Sequence, residues 1–84
     1  MKQVQAREFD EAFDALNAVL VAAQAAGDAS GEFNARLALG QILAVIGQPQ
    51  VARIEAQRAL ELARSRRNAE AIGAAQTLLD RLPS

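Results

Sequence analysis

Apolar residues recur every three or four positions along this chain, which is the period of one face of an α-helix. From about 6 to 26, Phe9, Ala12, Phe13, Leu16, Val19, Leu20 and Ala23 share a stripe, with Asp10, Asp14, Asn17 and Gln24 on the other side. From about 30 to 46 the stripe is Ala35, Leu39, Ile42, Leu43 and Ile46. Leu37, Ala38, Ala44 and Val45 make that segment apolar nearly all round, as expected of a helix packed on several sides. From about 49 to 66, Ala52, Ala56, Ala59, Leu60 and Ala63 fall together opposite Arg53, Gln57, Glu61 and Arg64. From about 69 to 82, Ile72, Ala75, Leu78, Leu79 and Leu82 point inward.

Three breaks separate these four predicted helices. Gly27-Asp28 offers a glycine stop followed by an N-cap. Gly47-Gln48-Pro49 offers a glycine stop and a proline for the next first turn. The third break, at Arg67-Asn68, has a capping Asn but no Gly or Pro. Without it, residues 49–82 would form one helix about 50 Å long. Short connections make consecutive helices antiparallel. The expectation is an all-α domain of two stacked helical hairpins, with the second helix central.

Composition sharpens this picture. The chain of 84 residues is 51% hydrophobic, with 20 Ala and 10 Leu against 3 Phe and no Trp or Tyr. Alanine favours helix and lets helices approach closely. No run alternates as a strand would. Its length suits one domain near the lower limit for a sufficient core. Charge is uneven: the net is −4 over residues 1–32 and +3 over 33–84, giving −1 overall. Acids near the start of the first helix, and Arg64, Arg66 and Arg67 at the end of the third, complement the helix dipoles. The same asymmetry also suits self-association.

Candidate chemistry is thin. There is no Cys and no His, which removes the thiolate, the commonest general base and the commonest transition-metal ligand. Asp10, Glu11 and Asp14 read as a solvated acidic face, and Asp28 and Glu32 as a cap and first-turn charge. Gly27-Asp28-Ala29-Ser30-Gly31 lacks the Lys-Ser/Thr ending of a phosphate loop. No enzyme, metal site or cofactor is expected. The arginine cluster has no interleaved aromatics for base stacking, and the third helix lacks a basic reading face, so nucleic acid is not expected. No secretory leader or membrane span is visible, and a cytoplasmic protein is the default.

A shift of the chain against itself by 40 residues aligns Ala12 with Ala52, Leu20 with Leu60, Ala23 with Ala63, Asp28 with Asn68, Ala35 with Ala75 and Leu39 with Leu79. Within it, residues 33–64 read FNARLALGQILAVIGQPQVARIEAQRALELAR. This stretch resembles a tetratricopeptide repeat. Leu39-Gly40 stands at the family's Leu-Gly pair and Gly47 at its turn. Ala52 and Ala59 stand at its small positions, and Ala59-Leu60-Glu61-Leu62 at its common ending. Upstream, Asp10-Glu11-Ala12 looks like part of a preceding repeat's second helix. The departures are Arg36 and Leu43 at aromatic positions, Arg64 where a terminal Pro is usual, and a spacing of about 40 in place of ~34.

The resemblance implies a right-handed α-α hairpin array that binds a protein or peptide. First-type helices would line a concave groove, here Asn34, Leu37, Gln41, Val45, Thr77 and Arg81. The basic clamp of some members is not matched, since Leu37 and Ala38 stand there. By this alignment the first helix is a second-type helix without a preceding partner. Its flank of Ala15, Ala18, Ala22, Ala25 and Ala26 is a candidate self-association surface, as a homodimer or against a missing part of a longer protein. A structural four-helix homodimer or engineered scaffold is the alternative reading, and a regulatory fragment the third.

Overall fold

The computed structural model describes residues 2–82, with side chains from Asp10 to Leu82. It contains four α-helices: α1 (Lys2–Ala26), α2 (Ala29–Val45), α3 (Pro49–Ser65) and α4 (Ala69–Arg81). No strand occurs among the described residues, so the fold is all-α. The observed ends fall within a residue of expectation, except that α1 reaches back to Lys2.

The three breaks are copies of one turn. Gly27, Gly47 and Arg67 all have positive φ, at +68°, +83° and +54°. Their N–H groups donate to Gln24, Ala44 and Arg64 carbonyls at 3.2, 3.3 and 3.0 Å. The next N–H groups, of Asp28, Gln48 and Asn68, reach back to Ala23, Leu43 and Ala63 carbonyls at 2.8, 2.8 and 3.1 Å. This pair of bonds is the Schellman motif, which satisfies carbonyls that the helix end leaves open. The turns recur at intervals of 20 residues. Glycine takes the left-handed conformation freely, whereas Arg67 takes it at a cost of about 1 kcal/mol.

Starts are capped locally. Asp28 Oδ1 accepts from Gly31 N–H at 3.0 Å, and Asn68 Oδ1 from Ala71 N–H at 3.2 Å. Gln48 makes no side-chain cap, and Pro49 instead opens α3 with a fixed φ.

Alanine decides the packing of α2 on α3. Ala35 of α2 and Ala52, Ala56, Ala59 and Ala63 of α3 are all buried. Gly40 of α2 sits so close to its neighbours that a Cβ there would lie 2.9 Å from Leu78 Cδ2 and 3.4 Å from Ala52 O. Larger side chains close the two ends: Leu43, Leu78 and Leu82 with Ala52 and Ala56, then Leu60 with Ala59 and Ala75. Leu37 and Leu79 pack against both groups.

Helix α2 packs on both α1 and α3, and α3 packs on α4. Gln24 of α1 and Glu55 of α3 both reach the Glu32–Arg36 edge of α2, so α1 and α3 straddle that edge. The opposite edge of α2 meets α4. Among the described residues, the Cα traces of α1 stay more than 8 Å from those of α3 and α4. A closed four-helix bundle brings its first and last helices together, and this array stays open.

Two residues expected inward are exposed, while Ala12, Phe13, Leu16, Leu20, Ile42, Ile72 and Leu79 are half-buried. Val19 is 51% exposed and Ile46 42%. Val19 lies at the far edge of the α1 stripe, and α1 packs on α2 alone. Ile46 is the C-cap of α2, at the turn that follows the helix. Phe9, also expected on the α1 stripe, lies outside the described side chains.

Candidate interaction surfaces

A cleft of about 360 Å³ opens where the first halves of α2 and α4 meet the end of α3. Phe33 and Leu37 supply its apolar wall from α2, with Leu62 from α3 and Ala71 and Ala74 from α4. The room comes from small side chains, since Ala63, Ala71 and Ala74 stand where Leu would fill the space. Ser30, Asn34, Arg66, Asn68 and Glu70 supply the polar part of its lining. The site thus pairs a mostly apolar wall with a few convergent polar groups, the usual make-up of a binding cleft.

Only part of the expected groove is in this cleft. Asn34 and Leu37 line it. Gln41, Val45, Thr77 and Arg81 do not line it and stand exposed towards the other ends of α2 and α4. Thr77 Oγ1 donates to Gly73 O at 2.8 Å, within its own helix. Leu37 is half-buried because its side chain also touches both core groups. Phe33, Arg66, Asn68, Glu70 and Ala74 were not expected here. Ala71 and Ala74, three apart on one helix face, are the one sequence signal that could have pointed to the space.

On the other side of α2, a chain of polar contacts crosses three helices. Gln24 Nε2 donates to Glu32 Oε2 at 3.4 Å, and Arg36 Nε donates to the same oxygen at 3.1 Å. Arg36 Nη1 reaches Glu55 Oε1 at 3.3 Å, and Arg58 approaches Glu55 at 3.8 Å. Arg36 is only 8% exposed. A buried guanidinium is tolerable where carboxylates meet it, and two do so here. The arginine that departs from the repeat pattern is thus a partnered interior group. Among the described residues, no buried side-chain nitrogen or oxygen is left without a hydrogen bond.

The α1 flank is open to solvent. Ala15, Ala18, Ala22, Ala25 and Ala26 are all exposed, and Val21 is 64% exposed. Val45 at the end of α2 is 70% exposed, and Val51 and Ile54 of α3 are exposed too. Asp10, Glu11 and Asp14 stand in solvent. Among the described residues, no three acidic side chains are grouped to hold a metal, and no helix is long and apolar enough to cross a membrane.

Comparison with family models, with curated proteins and with solved structures gave no match. The likeness to tetratricopeptide repeats therefore rests on the residues quoted for it.

Proposed function

We propose that this chain is a protein-interaction module of the tetratricopeptide-like kind, which holds a peptide or partner helix in the cleft between α2 and α4. The cleft carries the reading: its apolar wall of Phe33, Leu37 and Leu62 is backed by the core, and its polar groups are distinct in chemistry and position. Arg66 and Glu70 offer opposite charges, and Asn34 and Asn68 offer amides for a partner's backbone. The close approach at Gly40 and the run of buried alanines on α3 support the family resemblance. In this reading the module works in the cytoplasm, without cofactor or catalysis.

Affinity capture with the wild-type chain and an Ala74→Arg variant tests this. Ala74 is exposed on α4, so arginine there fills the cleft mouth without disturbing the helix. Asn34→Arg does the same from α2. The expected result is a captured protein that both variants lose and that Ala22→Arg, on the α1 flank, keeps. Retention of every captured protein by both cleft variants would abolish the proposal.

A further inference from the structure

The cleft between α2 and α4 has the scale of a single amino acid, and we propose that it binds a free α-amino acid with a large apolar side chain, of the leucine or phenylalanine kind. The proposal rests on the reading of this cleft as a binding site and names a small ligand for it.

Size sets the first limit. The cleft holds about 360 Å³, near the small end of ligand sites, which run from about 300 to 1,000 Å³. One turn of a helix, about 10 Å across and 5.4 Å long, fills roughly 400 Å³. A partner helix therefore inserts only side chains there, whereas a free amino acid enters whole. The inner end is blind. Leu78 fills the space between α2 and α4 at Gly40, where an added Cβ would lie 2.9 Å from its Cδ2.

Polarity sets the orientation. The polar lining lies at helix ends: Ser30 in the first turn of α2, Arg66 at the C-cap of α3, and Asn68 and Glu70 at the start of α4. Phe33, Leu37, Leu62 and Ala74 line the cleft one or two turns further along the same helices. A ligand with a polar head and an apolar tail fits this gradient in one direction only.

Charge selects the class of head. Arg66 and Glu70 are the two charged residues of the lining, one of each sign, and Arg64 and Arg67 are not part of it. Among the described residues, neither Arg66 nor Glu70 makes an ion pair. A simple anion meets Glu70 unfavourably, and a simple cation meets Arg66 unfavourably. A zwitterion satisfies both: its carboxylate accepts from the Arg66 guanidinium, and its ammonium donates to the Glu70 carboxylate. A peptide end carries only one of these charges. The apolar side chain then lies against Phe33, Leu37 and Leu62, which excludes glycine and other ligands without a tail.

Titration of the full chain with L-phenylalanine, followed by amide and methyl chemical shifts, tests the proposal. Wild type should bind with a Kd of about 1 mM or tighter, and shifts should centre on the cleft. N-acetyl-L-phenylalanine lacks the ammonium and L-phenylalaninamide lacks the carboxylate, and each should bind about fivefold more weakly. Glycine should not bind. Glu70→Gln should abolish the preference for phenylalanine over its N-acetyl form, and Arg66→Gln the preference over its amide. Ala74→Leu, helical by circular dichroism, should fill the cleft and remove binding. No saturable shift in folded wild type, or N-acetyl-L-phenylalanine or glycine binding as tightly as phenylalanine, overturns the proposal. The titration uses no protein partner, so it can fail where affinity capture succeeds and succeed where capture fails.

Discussion

Helices α1 and α3 carry similar apolar stripes, yet the structure treats them differently. On α3 the whole expected stripe is buried: Ala52, Ala56, Ala59, Leu60 and Ala63. On α1 the only buried residue among the described side chains is Ala23, and Phe13, Leu16 and Leu20 are half-covered. The cause is position in the array. Helix α3 lies against α2 on one side and α4 on the other, while α1 has α2 alone. Periodicity states which residues of a helix can be buried together; the number of neighbours decides which of them are.

Substitutions of matched size should expose that difference most strongly. Ala56→Leu forces a side chain into the α2–α3 contact and should cost about 3 kcal/mol. Ala22→Leu, on the open flank of α1, should change stability by less than about 0.5 kcal/mol. Thermal melts would separate the two, since 1 kcal/mol shifts Tm by about 4–8 °C in a domain this small. Equal losses from both would mean that α1 is packed as tightly as α3.

The next effect concerns the polar chain that joins the two helices through α2. Glu55→Ala removes one of the two carboxylates that meet the buried Arg36 guanidinium. Urea unfolding should show a loss of about 2 kcal/mol, less than for a wholly stranded buried charge because Glu32 remains. An unchanged midpoint would show that Arg36 finds water instead.

Amide exchange addresses the same contrast without mutation. Protection in the first three turns of α2 and throughout α3 should exceed that in α1 about tenfold or more, because helices with few buried contacts open separately. Uniform protection would make the four helices one cooperative unit.

The smallest effect lies in the turns. Arg67→Gly should stabilise the chain by about 0.5–1 kcal/mol, by relieving the left-handed residue. Gly47→Ala should destabilise it by about 1 kcal/mol for the converse reason. A Tm that falls in the Arg67→Gly variant would indicate that the arginine side chain makes a contribution beyond the turn.

Much of the fold was legible because helical periodicity and stop signals are local. Gly27 and Gly47 announce their turns by residue type. The Arg67 turn has the same geometry with no such signal, so only Asn68 and the spacing pointed to it. Val19 and Ile46 were misplaced for a different reason: burial at a stripe's edge or a helix end depends on a neighbour that local pattern does not reveal. The expected groove and the observed cleft overlap only in part. Asn34 and Leu37 are in the cleft, but Gln41, Val45, Thr77 and Arg81 are not, because the α2–α4 groove is filled by Leu78 at the level of Gly40. Arg36 looked like a departure from a repeat. Its partner Glu55 lies 19 residues away, and only the α2–α3 pairing joins them.

The recurrence of one turn every 20 residues gives the chain a modular grammar. Asp28 and Asn68 open their helices with the same cap, and Gly27 and Arg67 close theirs with the same bonds. A duplicate of residues 28–67 spliced in after Arg67 would therefore begin and end on compatible junctions. It would add one whole hairpin, with α4 still closing the far end. Architectures of this kind grow by insertion without redesign of what is already built, since each unit needs only its neighbours.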